Sequence, residues 1–148
     1  MAAERTASWV DGALQVLAAS GHRSGGARRA LLELLDSQRC ALSALEIEDA
    51  LRTSERRVAR ASIYRILDEL ERLGLVQKVE VGQAMARYEP LRTGAGHHHH
   101  LVCDSCGVIM PFTDRGLEEA ITKLSRRVPI EVSEHEIVLH GACEECKD

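Results

Sequence analysis

The sequence predicts an α+β fold in two parts: four helices and a hairpin, then a small unit of three strands and one helix. Three observations predict it. Four segments before residue 75 repeat apolar residues at helical spacing. The next two segments alternate apolar and polar residues. A polar, glycine-containing stretch, PLRTGAG at 90–96, then separates these from a second set of short β-rich runs.

SWVDGALQVLAASG reads as the first helix. Trp9, Ala13, Val16 and Leu17 form one stripe, and Gly21 follows its end. GARRALLELLD is the second, with Leu31, Leu34 and Leu35 on the buried face. SALEIEDALR is the third. Ser43 with Glu46 three residues on has capping-box spacing, in which each side chain satisfies a free backbone N–H at the helix start. Ile47, Ala50 and Leu51 are its apolar positions. RASIYRILDELERLG is the fourth, with Ile63, Ile66, Leu67, Leu70 and Leu73 on one face and Gly74 as the stop. LVQKVEV, a turn at GQ, and AMARYE form the hairpin. This order fits a helix-turn-helix with a β-hairpin wing. A generic small helical unit with a hairpin is the competing reading; the basic stretch leading into the fourth helix favours the winged helix.

The second part reads as strand HHLVC, strand VIMPF, a helix over 116–127 and strand EIVLHG. The predicted boundaries are therefore 1–89 for the first unit, 90–96 for a hinge and 97–148 for the second. At 45% hydrophobic residues the chain can bury a core, built mostly of Leu, Val, Ile and Ala because aromatics are only 3%. No apolar run approaches the ~18 residues of a membrane helix. The opening MAAERTASWVDGAL lacks an export pattern, so a cytoplasmic protein with no membrane partner is expected.

The net charge of −4 argues weakly against a nucleic-acid partner, but its distribution matters more. Residues 1–91 carry 13 basic and 13 acidic residues, and 52–65 hold five Arg and one Glu. Nucleic-acid binding needs a basic face, not a basic protein. Arg57 and Arg60 are placed to neutralise phosphates, and Ser62 to donate near the start of the fourth helix. Tyr64 and Arg65 lie off the Ile63/Ile66/Leu67 stripe and face outward. Arg28 and Arg29 are candidates for further backbone contacts.

Cys103/Cys106 and Cys143/Cys146 form two Cys-x-x-Cys pairs with 36 residues between them, while Cys40 stands alone. Four thiolates so arranged suit a tetrahedral structural Zn²⁺, each pair forming a tight loop. A thioredoxin-like redox motif explains one pair and not both. His97 to His100 run consecutively just before the first pair. If 97–103 is a strand, His97 and His99 point to one face and His98 and His100 to the other, giving two separated ligand pairs for two metal sites. A solvated polar loop is the plain alternative.

Taken together, HHHHLVCDSCG, the second Cys-x-x-Cys near the C-terminus, ASIYRILDEL before a hairpin, and RYE ahead of the hinge resemble the ferric uptake regulator family over about 20–147. The resemblance implies a dimeric, metal-dependent repressor of metal-homeostasis genes that binds operator DNA. Its N-terminal winged helix would read the DNA, with Tyr64 as a base or thymine-methyl contact, and its C-terminal α/β unit would dimerise. It implies structural zinc at Cys103, Cys106, Cys143 and Cys146. It also implies a hinge sensing site at Glu89, His98 and His100, and a further site at His97, His99, Glu118 and His135. The regulatory ion would be Fe²⁺ or Zn²⁺.

There are departures from the family pattern. Family members often carry a hinge-site His just before the third helix, where this chain reads QRCALSALE. Cys40 is adjacent to that position, as a fourth ligand or as a free thiol. The peroxide-sensing branch has an Asp eight residues after the first zinc cysteine; Pro111 stands there instead. Two other function classes compete. A zinc deaminase needs His-x-Glu and Pro-Cys-x-x-Cys with an open zinc position, and neither motif occurs, so no enzyme is expected. A zinc-binding storage or delivery protein without DNA binding explains the histidines but not the basic helix and wing.

Overall fold

A computed structural model of the chain describes residues 8–23, 25–38, 40–82, 85–92 and 97–147. The chain divides into two units, Met1–Ala95 and Gly96–Asp148. In the first, helix α1 (Trp9–Ala19) starts at Ser8, whose hydroxyl accepts from the Asp11 N–H. Helix α2 (Gly26–Ser37) follows, then a two-residue strand β1 (Leu42–Ser43), helix α3 (Ala44–Thr53) and helix α4 (Arg60–Arg72). Strands β2 (Val76–Glu80) and β3 (Ala86–Pro90) complete a sheet ordered β1-β3-β2, with both pairings antiparallel. The helices pack around Leu17, Leu31, Leu35, Ile47, Leu51, Ile63 and Leu67, all fully buried.

Local chemistry explains the element ends. The predicted capping box is complete: Ser43 Oγ accepts from Glu46 N–H (3.2 Å) and Glu46 Oε2 accepts from Ser43 N–H (2.8 Å). The Glu46 carboxylate also accepts from the buried Arg87 guanidinium (2.7 and 2.8 Å), which ties the start of α3 to β3. Helix α4 ends as its glycine predicts. Gly74 is left-handed (φ 69°) while its N–H donates to Glu71 O and Leu75 N–H donates to Leu70 O.

Several sequence expectations are corrected. Val16 is exposed, and Val10 joins Ala13 and Leu17 on the buried face of α1. On α2, Leu32 is buried with Leu31 and Leu35, while Leu34 is only partly covered. Strand β1 was not foreseen, because two residues carry no period. Pro90 pairs with Val76 and ends β3, so the first residue of the expected hinge is strand. Residues 93–96 of that hinge lie outside the described residues, as does Gln83 of the wing turn.

Arg28 is also corrected. Its Nε and Nη2 donate to the two carboxylate oxygens of Glu69 on α4 (3.0 and 3.1 Å), and Glu69 is buried. His22 Nδ1 lies 3.8 Å from the same carboxylate. Arg28 thus joins α2 to the back of α4 and is not an outward phosphate contact. Replacing Arg28 with Ala strands a buried carboxylate. The expected loss is about 2 kcal/mol, below the full buried-pair cost because Arg28 is partly solvated. A denaturant midpoint equal to the parent's would show the pair to be dispensable.

The second unit holds strand β4 (His99–Cys103), strand β5 (Ile109–Phe112), helix α5 (Arg115–Ser125) and strand β6 (Val138–Gly141). The sheet order is β5-β4-β6, with β4 central, antiparallel to β5 and parallel to β6. A parallel pair needs a long crossover, and α5 lies within it. Asp114 caps α5 by accepting from Leu117 N–H (2.7 Å). Strand β4 spans the HHLVC segment read as a strand from the sequence. The unit leaves Val108, Met110, Leu124, Val128, Ile130, Val132 and Leu139 exposed, Ile130 at 71%. Among the described residues, no helix is long and apolar enough to cross a membrane.

Candidate metal centres

Sheet register brings the two Cys-x-x-Cys loops together. Cys103 ends β4 and is the register partner of Gly141, which ends β6 two residues before Cys143. Each loop is a tight turn: Gly107 N–H donates to Cys103 O (2.8 Å) with Gly107 at φ 78°, and Cys146 N–H donates to Cys143 O (2.9 Å). One sulfur from each of Cys103, Cys106, Cys143 and Cys146 falls within 4.8 Å of the others. Cys106 Sγ and Cys143 Sγ are 3.8 Å apart. A tetrahedral zinc with bonds of about 2.3 Å has sulfur–sulfur edges of roughly 3.8 Å, so this donor set fits that ion.

The electrostatics favour thiolate there. Backbone N–H groups of Cys106 and Cys143 point at Cys103 and lower its pKa to about 6. The neighbouring sulfurs of Cys143, Cys106 and Cys103 push Cys146 up to about 12. Four thiolates cannot crowd together without a cation. All four protein positions of a tetrahedron are taken, so the arrangement suits structure and leaves no place for substrate.

The histidine run divides as alternation predicts. His99 is buried on β4; its Nε2 lies 2.5 Å from Glu118 Oε1, and Ile137 N–H anchors its Nδ1 (3.2 Å). His135 Nε2 lies 2.9 Å from Glu118 Oε2, and His97 Nε2 3.8 Å from Oε1. One donor from each of His97, His99, Glu118 and His135 lies within 4.8 Å of the others. The pKa of Glu118 is lowered, first by its bond to His99. That of His97 is lowered, first by burial and then by His99. Both shifts favour the forms that ligate metal, carboxylate and neutral imidazole. Three imidazoles and one carboxylate suit a borderline divalent ion.

His98 and His100 form the other pair, with ring centroids 5.0 Å apart. His100 is buried on β4. In the first unit, Glu89 is buried on β3 and accepts from Gln77 Nε2, and Cys40 is partly buried just ahead of β1. Sequence reasoning missed one neighbour: Glu136 Oε1 lies 3.6 Å from His100 Nδ1.

On α4, Tyr64 is 46% exposed and Arg65 is exposed, while Ile63, Ile66 and Leu67 turn inward. Arg65 Nη2 donates to Ser62 Oγ at 3.3 Å. Arg57 is exposed ahead of the helix; Arg60 is exposed and its Nε donates to Glu48 (2.7 Å). The four positions thus keep the outward placement expected of them, with Arg60 partly engaged.

Comparison with known proteins shows the family and the fold. The model of the ferric uptake regulator family matches residues 19–140. The ferric uptake regulation protein of Bacillus subtilis is 31% identical over 114 residues, 76% of each chain. The Vibrio cholerae ferric uptake regulator superposes with a TM-score of 0.77 at 26% identity, covering 88% of this chain and 98% of that one. The Helicobacter pylori ferric uptake regulator, a protein with three functional metal binding sites, has a TM-score of 0.81 over 94% of each chain at 24% identity, a likeness of fold.

Proposed function

The chain belongs to the ferric uptake regulator family, and from that premise we propose that it is a homodimeric repressor that binds operator DNA when Fe²⁺ or Zn²⁺ occupies its sensing site. The coarser statement, a metal-responsive transcription regulator, follows from the family itself. The observation that carries the finer reading is the pairing, in one chain, of an outward Tyr64/Arg65 face on α4 with two built ligand clusters in the second unit.

In this reading Cys103, Cys106, Cys143 and Cys146 hold structural zinc and keep the second unit folded. The exposed Leu124, Ile130, Val132 and Leu139 supply the apolar area of the dimer. His97, His99, Glu118 and His135 hold a further ion. Glu89, His98 and His100 form the sensing site, a part of the proposal that rests on the sequence resemblance, and Cys40, beside the position where family members carry a His, is its proposed fourth ligand. Glu89 belongs to the first unit and His98 and His100 to the second, so shared ligation restricts the hinge. That restriction sets the spacing of two α4 helices for successive major grooves. A thiolate at Cys40 favours zinc over iron as the sensed ion. The site of action is the cytoplasm.

The test is a DNA-binding titration with Fe²⁺, Zn²⁺, Mn²⁺ and Ni²⁺ on protein already holding its Cys₄ zinc. One ion should activate binding at a concentration well below the others. Activation by none would favour a storage or delivery protein. Tyr64→Ala and Arg65→Ala should each weaken operator binding about tenfold, the order of a single base contact, with metal content unchanged. Arg57→Ala should instead reduce the salt dependence by about one counterion. Parental operator affinity in both α4 variants would remove that helix from the interface.

A further inference from the structure

We infer that Glu136 is a positioning residue for the His98/His100 metal site, fixing the His100 ring through its Nδ1 so that Nε2 is the nitrogen presented to metal. The inference rests on the reading that this histidine pair binds the regulatory ion. Its geometry lies wholly within the second unit.

His100 sits on the central strand. Its register partners are Pro111 on β5 and Val138 on β6, and its N–H donates to Ile137 O (3.1 Å). Neither Pro111 nor Val138 has a polar side chain to offer. The carboxylate beside the ring comes from one residue ahead of Ile137, where Glu136 Oε1 lies 3.6 Å from Nδ1, an ion-pair separation just beyond hydrogen-bond reach. The dipeptide 135–136 therefore repeats the division seen in 97–100. His135 joins His99 and Glu118, whereas Glu136 joins His100.

The chemistry of metal-bound imidazole gives this placement a role. A histidine that ligates through one nitrogen carries its proton on the other, and a carboxylate at that proton fixes the ring plane and raises ligand basicity. His100 is buried, so a fixed charge acts on it with less screening than at the surface. Glu136 is half exposed (51%), so replacing it removes no core packing.

The experiment uses full-length protein holding its Cys₄ zinc, titrated with further Zn²⁺ against a chromophoric chelator. Glu136→Gln should weaken one class of Zn²⁺ site by about 10- to 100-fold, the usual cost of losing an outer-shell partner. The Cys₄ zinc and the site of His97 and His99 should be unchanged. In Zn²⁺-saturated protein the His100 Nδ1–H resonance should move upfield in Glu136→Gln, a change that general loosening of a loop does not produce. His98→Ala with His100→Ala separates the two levels of the argument. If that double variant loses the site while Glu136→Gln binds within twofold of the parent, the role of Glu136 is overturned and the site stands. If the double variant keeps every Zn²⁺ site, the reading of the histidine pair itself is overturned.

Discussion

Cys143→Ser is expected to release the proposed zinc from the four-cysteine site and to dissolve most of the proposed dimer. Cys143 does two things at this centre. Its sulfur is one of the four donors, and its backbone N–H points at the Cys103 sulfur (3.4 Å). Serine preserves the backbone but offers an alcohol in place of a thiolate. With three thiolates the ion is bound less tightly, and the repulsion among crowded sulfurs has no compensating charge. Structural zinc contributes on the order of 10 kcal/mol to small domains. The second unit has few other resources: helix α5 has no buried residue, and among the described residues of this unit only His99, His100, Val102 and Cys103 are buried. Its exposed apolar side chains therefore depend on the zinc for their arrangement. Metal analysis and sedimentation check this together. One zinc retained per chain with a full dimer would remove the four cysteines from a structural role.

The sequence made some of this legible and hid the rest for identifiable reasons. The helices of the first unit were readable because Ile63, Ile66, Leu67 and Leu70 repeat at helical spacing and because the Ser43/Glu46 box and Gly74 mark ends chemically. Alternation along the histidine run was readable for the same kind of reason, since side-chain direction in a strand is set by count alone. Glu118 and His135 were not readable from pattern: each lies far along the chain from His99 and came only through resemblance. Arg28 was misread because a basic residue on a helix looks outward until its partner is known. Glu69, 41 residues away, is that partner. Glu136 was passed over for a related reason, as the parallel pairing of β4 with β6 that brings it to His100 has no local signature.

The second large effect separates the two faces of the histidine run. His98→Ala with His100→Ala is expected to abolish metal-dependent DNA binding while the protein stays folded and zinc-loaded at its cysteines. His97→Ala with His99→Ala is expected to lower total bound metal and dimer stability, with a milder effect on activation. The contrast follows from geometry. Rings of 97 and 99 meet at 4.4 Å and gather around Glu118 and His135, whereas the rings of 98 and 100 meet at 5.0 Å and have Glu136 as a neighbour. The first group is complete within the second unit, so its expected effect is on the stability of that unit. The second pair gains its effect, in the proposed mechanism, from Glu89 on the first unit. Glu89→Ala should therefore resemble the 98/100 variant although it is remote in sequence. Glu89 also accepts from Gln77 across β2 and β3, so the folding of Glu89→Ala is checked by thermal melting alongside. Metal-dependent operator binding, metal stoichiometry and sedimentation measured on all three variants decide the matter. Identical behaviour of the two double variants, with Glu89→Ala silent, would place the sensing site elsewhere and leave the run without a sensing role.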